Sequence, residues 1–176
     1  LEKYHGTDVF LTEALTREAL KALEDPIQKR KPFFLYMSHY AVHIPYSADR
    51  RFVQKYLDKG LPEKEAEYAA LIEGMDDSLG KIMGYLREKD IDKNTIIIFL
   101  SDNGGFSMAP RSGEAFTHNL PLKSGKGSVY EGGIRVPMLV KWPAVVNPNS
   151  ATNQYVIIED LFPTILEMGG VKQHRS

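Results

Sequence analysis

Several short stretches of this chain gather the residue types that chemistry needs. Ser101-Asp102-Asn103-Gly104-Gly105 sets a carboxylate beside a side-chain amide and follows them with two glycines. Both side chains are oxygen donors of the kind hard divalent cations prefer, and the glycines let the backbone bend until both face one point. The same composition also serves an ordinary turn. It is not an EF-hand, because the loop spacing and the closing glutamate are missing. Lys126 stands between Gly125 and Gly127. A lysine there offers a point charge beside backbone N–H groups to an anion, or is simply a solvated loop lysine. A phosphate-binding P-loop is excluded: Leu120 stands five residues before Gly125, and Gly127 follows the lysine. His39 and His43 are four apart, but Pro45 and the apolar run before them argue against a helix that would aim both at one metal. They read as partly buried loop histidines bonded to backbone or, for His43 above all, as a working group. Asp76 and Asp77 are not a carboxylate pair, because neighbours on a helix point about 100° apart. Asp76 reads as structural and Asp77 as solvent-facing.

Elements must hold these groups in place. Residues 12–23 read as a helix capped by Thr12, with Leu15, Ala19, Ala22 and Leu23 at helical spacing. Pro26 and Lys29-Arg30-Lys31 then make a turn. Residues 32–38 form an uncharged apolar and aromatic run that predicts an interior strand buried on both faces, ending in the loop that carries His39 and His43. A long helix is predicted from Pro62, with Glu63, Glu65 and Glu67 near its positive end. Tyr68, Ile72, Met75, Leu79, Ile82 and Leu86 are its predicted core stripe. Residues 95–100 carry the strongest strand signal and run straight into Ser101-Asp102. Residues 106–135, rich in glycine and proline, read as a long loop, residues 136–142 as a third strand, and a last helix is capped by Asp160, with Pro163 in its first turn and Gly169 at its end. Helix, strand, helix, strand, strand, helix points to an α/β fold: a mostly parallel sheet sandwiched by helices. Such sheets bind ligands beyond the carboxyl ends of their strands, where the histidines and Asp102-Asn103 fall.

Composition narrows the function classes. Lys plus Arg is 22 against 23 for Asp plus Glu in 176 residues, a net charge of −1, which argues against a broad nucleic-acid surface. No apolar run reaches the ~20 residues of a membrane span. There is no cysteine, hence no disulfide, thiolate metal site or thiol nucleophile.

The order and wording of four motifs resemble the sulfatase family of the alkaline-phosphatase-like superfamily, from near Tyr4 almost to the end. Phe34-Leu35-Tyr36-Met37-Ser38-His39-Tyr40-Ala41-Val42-His43-Ile44-Pro45 is similar to the family's strand and His-x-Pro loop, and Ser101 to Gly105 to its metal-binding turn. Pro121 to Pro137, containing Lys123-Ser124-Gly125-Lys126-Gly127 and Tyr130-Glu131-Gly132-Gly133-Ile134-Arg135, is similar to its lysine loop and following strand, and Asp160 to Gly169 to its closing helix. The resemblance implies that Asp102 and Asn103 are calcium ligands, that Lys126 binds sulfate, and that His43 contacts sulfate and assists the leaving group. His39, His118 and Lys123 are candidate substrate-pocket residues. It implies a sulfuric ester hydrolase acting on a sulfated small molecule or glycan, in a periplasmic, secreted or lysosomal setting.

The family's nucleophile is a formylglycine made from Cys or Ser in a Cys/Ser-x-Pro/Ala-x-Arg motif. Ser107-Met108-Ala109-Pro110-Arg111 fits that pattern formally, but it follows the metal turn instead of preceding it. Glu114, Phe116 and Thr117 also break the usual Leu-x-Thr-Gly continuation. With Leu1 in place of an initiating Met, residues 1–176 are expected to be a single partial catalytic domain, the central to C-terminal portion, inactive alone and binding calcium only weakly. A phosphoesterase or phosphonate hydrolase of the same superfamily is the alternative within enzymes. A noncatalytic folding or interaction fragment, self-associating through an uncovered sheet edge, is the alternative from another class.

Overall fold

The computed structural model describes residues 1–43, 46–107 and 119–171. These fall into two compact units, Leu1–Val145 and Val146–Ser176. In the first unit, helix α1 spans Leu11–Gln28, helix α2 Val53–Leu57 and helix α3 Glu63–Glu88. Strand β1 (Ile97–Leu100), the one-turn helix α4 (Glu131–Ile134) and strand β2 (Met138–Lys141) follow. Helix α3 begins where the sequence predicts, on Pro62 as N-cap. Helix α1 runs further than predicted and takes Pro26 into its last turn. Thr12 is not its cap, because the chain turns in at Phe10. Thr12 is buried instead, its carbonyl accepting the Thr16 hydroxyl (2.7 Å), and Thr16 Oγ1 is hydrogen-bonded to Ser78 Oγ of α3 (2.6 Å). Both long helices close with a left-handed residue, Arg30 and Asp90, and with N–H groups returned to the last turn: Lys31 to Pro26 O, Ile91 to Leu86 O.

The buried face of α3 differs from the predicted stripe. Its buried residues include Ala66, Ala70, Gly74, Ser78, Ile82 and Leu86, a four-residue repeat that is small in its first half and large in its second, while Ile72 is exposed. The small half makes room for a charged anchor. Asp49 is 0% exposed and is held by Arg51 through Nε (3.0 Å), Nη2 (2.7 Å) and its backbone N–H (3.1 Å). A Cβ on Gly74 would stand 2.9 Å from Asp49 Oδ2. Arg51 Nη1 also reaches Asp77 at 3.2 Å, and Lys81 reaches the same carboxylate at 2.8 Å. The reading of the two aspartates is thereby reversed: Asp77 is the ion-paired, half-buried one and Asp76 is exposed. The large half makes the core, Ala19 and Leu23 of α1 against Ile82 and Leu86.

Phe33, Leu35, Met37 and Ile97 pack on that same core. Residues 32–38 are therefore not buried on both faces as predicted. They alternate half-buried with exposed, Phe34 at 72% and Tyr36 at 80%, and none of their backbone groups pairs with another backbone group among the described residues. An interior strand needs neighbours on both sides and a second covering layer, and this segment has only the helical one. The ladder the described residues do hold is β1 with β2, antiparallel, Ile97 opposite Lys141 and Leu100 opposite Met138. Pro137 lacks the N–H to extend β2 at its start. At its end, Lys141 Nζ donates to Asp92 O (2.8 Å), in the turn before β1.

The second unit carries helix α5, Ile158–Met168. Asp160 is its third residue rather than its cap, its carboxylate accepting the Ile157 N–H at 3.0 Å, and Pro163 lies in the helix interior. Gly169 is the C-cap, and Gly170 at φ +74° passes Val171 N–H back to Leu166 O (2.9 Å). Among the described residues no helix is long and apolar enough to cross a membrane.

Candidate functional site

The turn after β1 is folded by its own side chains. Ser101 Oγ donates to Asn103 O (2.8 Å) and Asn103 Nδ2 to Gly104 O (3.1 Å), which presents Asp102 outward, exposed, with Asn103 half-buried beside it. Gly104 then drives the chain into the second loop: its N–H donates to Gly133 O (2.9 Å), and a Cβ there would fall on Gly132 O. No larger residue fits this approach.

The lysine loop is built around the same junction. Gly132 N–H donates to Lys123 O (2.9 Å), Ser128 N–H to Gly125 O (3.1 Å) and Lys126 N–H to Gly105 O (3.0 Å). The Ser101–Gly105 turn and Lys126 are thus joined by a backbone bond although about twenty residues separate them in sequence. Lys126 is half-buried, and neither it nor Asp102 has an ion pair among the described residues. Lys123 is occupied otherwise, its ammonium 3.9 Å from the centre of the Tyr130 ring.

The histidines belong to another loop. His43 is exposed, and its N–H donates to Tyr40 O (2.9 Å). His39 is half-buried, its Nδ1 is enclosed with no hydrogen-bond partner among the described residues, and burial pulls its pKa below the ordinary value. His118, and residues 108–111 of the formal Ser-x-Ala-x-Arg match, lie outside the described residues.

One residue was not anticipated. Asn119 accepts from Gly105 N–H at Oδ1 (3.1 Å) and donates through Nδ2 to Gly105 O (2.8 Å) and Ser124 O (3.2 Å). The sequence signal was an asparagine just ahead of the lysine motif, which is also what any turn would show.

Asp102 and Asn103 have the donor chemistry of a hard-cation site. Two side chains fill only part of the six to eight oxygens calcium usually takes, and no cluster of three or more His, Asp or Glu able to hold a metal occurs among the described residues. The residues fit a share of such a shell rather than all of it.

The chain is similar to known proteins over most of its length. The sulfatase family model matches residues 2–171. A sulfatase of Formosa agariphila is 37% identical over 95% of this chain and 31% of its own length. The N-acetylgalactosamine-6-sulfatase of Mus musculus is 36% identical over 92% of this chain and 29% of its own. Among solved structures, Ps i-CgsB in complex with k-i-k-neocarrahexaose superposes with a TM-score of 0.84 at 34% identity, covering 97% of this chain and 37% of that one. The chain therefore spans about a third of the length of these relatives, and the match carries the expected α/β, alkaline-phosphatase-like fold. This chain belongs to the sulfatase family.

Proposed function

We propose that this chain forms one wall of a sulfuric ester hydrolase site. The observation that supports the reading is the Gly105 junction, where the backbone of the Lys126 loop bonds to the turn that carries the exposed Asp102, neither side chain having an ion pair among the described residues. A sulfate ester presents anionic oxygens, and attack at sulfur moves charge onto the leaving oxygen. Lys126 holds the sulfate oxygens by charge. His43 hands a proton to the leaving oxygen. Asp102 and Asn103 would hold a calcium ion, which when bound supplies Lewis-acid stabilisation of the same charge. The formylglycine nucleophile comes from sequence other than these 176 residues, which contain no cysteine. Sulfated glycans are the favoured substrate class over phosphate esters. The support is the mouse relative's name, the neocarrahexaose in the solved relative, and the Tyr130-Glu131-Gly132-Gly133-Ile134-Arg135-Val136-Pro137 wording. A periplasmic, secreted or lysosomal site of action goes with that class.

The reading is tested on the purified chain by calorimetry with calcium chloride and by turnover of an aryl sulfate. The expected results are calcium binding weaker than micromolar, lost in Asp102→Ala, and no turnover. Submicromolar binding, binding indifferent to Asp102, or measurable hydrolysis would each overturn it. A second reading, self-association, is favoured by one specific observation: the exposed Phe34 and Tyr36 on a segment, residues 32–38, without backbone pairing among the described residues. Size-exclusion chromatography tests it: concentration-dependent dimers that Tyr36→Lys abolishes support it, and a monomer at every concentration removes it.

A further inference from the structure

We propose that Asn119 is a positioning residue that couples the cation-binding turn to the anion-binding lysine loop. The inference rests on the functional reading above and extends it to a residue outside the ligand set.

An asparagine amide has one acceptor oxygen and two N–H donors. Asn119 commits all three to backbone on both sides of the junction: Oδ1 to Gly105 N–H, and the two N–H groups to Gly105 O and Ser124 O. Gly105 is therefore gripped at both its N–H and its carbonyl, two residues after Asn103. Ser124 stands two residues before Lys126 and is fixed by the same amide. The glycines leave the room this needs. A Cβ on Gly105 would stand 2.8 Å from Asn119 Oδ1, and one on Gly125 would stand 2.8 Å from Asn119 Nδ2. Two backbone bonds cross the same junction, Lys126 N–H to Gly105 O and Gly104 N–H to Gly133 O, but neither holds Gly105 N–H or Ser124 O, which only the Asn119 amide ties together among the described residues. With Asn119 in place the turn and the loop move as one body, so a change at Asp102 and Asn103 reaches Lys126. Aspartate, although of the same size, cannot substitute: its second oxygen would face two carbonyl oxygens.

The test is a titration of the isotopically labelled chain with calcium chloride and, separately, with sodium sulfate, following backbone amide resonances. In the wild type, calcium shifts Asp102 and Asn103 and the shift extends to Ser124 and Lys126; sulfate shifts Lys126 and the shift extends to Asp102. In Asn119→Ala and Asn119→Asp the local shifts remain and the transmitted ones fall below half, with the melting temperature within about 3 °C of wild type. Transmission unchanged in the variants overturns the proposal. So does loss of the whole fold in both, which would make Asn119 merely structural. If calcium leaves the wild type untouched, the metal assignment fails on its own, and the sulfate arm decides for Asn119. If neither ion shifts any wild-type resonance, there is no coupling to transmit and the proposal falls.

Discussion

Single side chains carry two consequences that can be measured apart from any ligand. His39 is buried enough that its charged form is disfavoured, so its folded pKa lies below the unfolded value of about 6.5. As pH falls through 6.5 the unfolded chain takes up a proton that the folded one refuses. Stability is therefore lost on acidification from about pH 7 until the depressed folded value is reached, then levels off. The melting temperature is expected to drop between pH 7.5 and 5.5, and the drop to shrink in His39→Gln; equal slopes would remove His39 as the cause. Asp49 is the second case. With the carboxylate fully buried and Arg51 its only ion-pair partner among the described residues, Arg51→Met leaves an uncompensated interior charge and is expected to cost about 3–5 kcal/mol in urea unfolding. Neither role was legible in the sequence. Asp49 sits in a polar stretch, Asp49-Arg50-Arg51, that looks like surface, and burial is set by α3, a segment far along the chain. Asn119 was missed for the same reason. Asp102, Asn103 and Lys126 stand out in the sequence because their residue types match a chemistry and their glycine neighbours mark bends, though the sequence alone did not say that the Lys126 backbone would bond to Gly105.

At the level of elements, strong periodic or β-branched runs read well and small-residue faces did not. Helix α3 and strand β1 stand where expected because a charged first turn and an isoleucine run are local signals. The stripe on α3 was misplaced because hydrophobicity picks out large residues, whereas close approach picks out Ala66, Ala70, Gly74 and Ser78. The run 32–38 was read as doubly buried because composition cannot say which partners lie beside it. The junction of loops makes its own prediction. Gly104→Ala must push Gly132 O away and so separate the Ser101–Gly105 turn from α4. The expected outcome is an unchanged far-ultraviolet circular dichroism spectrum, since the α1–α3 core is untouched, with calcium binding at Asp102 and Asn103 lost. Calcium binding at wild-type strength in that variant would show the approach to be dispensable.

Across the whole molecule, one helical layer serves two kinds of surface. The large half of α3 supports both the 33–37 segment and Ile97 of β1, so the histidine loop and the Ser101–Gly105 turn spring from segments resting on one core. The Gly105–Asn119 clasp has a further consequence, for how the chain can change. It pins both ends of the excursion between those two residues to each other, N–H to Oδ1 and Nδ2 to carbonyl. The cost of closing a loop grows only slowly with its length, about 0.6 kcal/mol per doubling. Insertions between the pinned ends should therefore cost little and leave Asp102 and Lys126 in register. The clasp thus sets the spacing of two chain positions fourteen residues apart by hydrogen bonds of their own rather than by the chain that joins them.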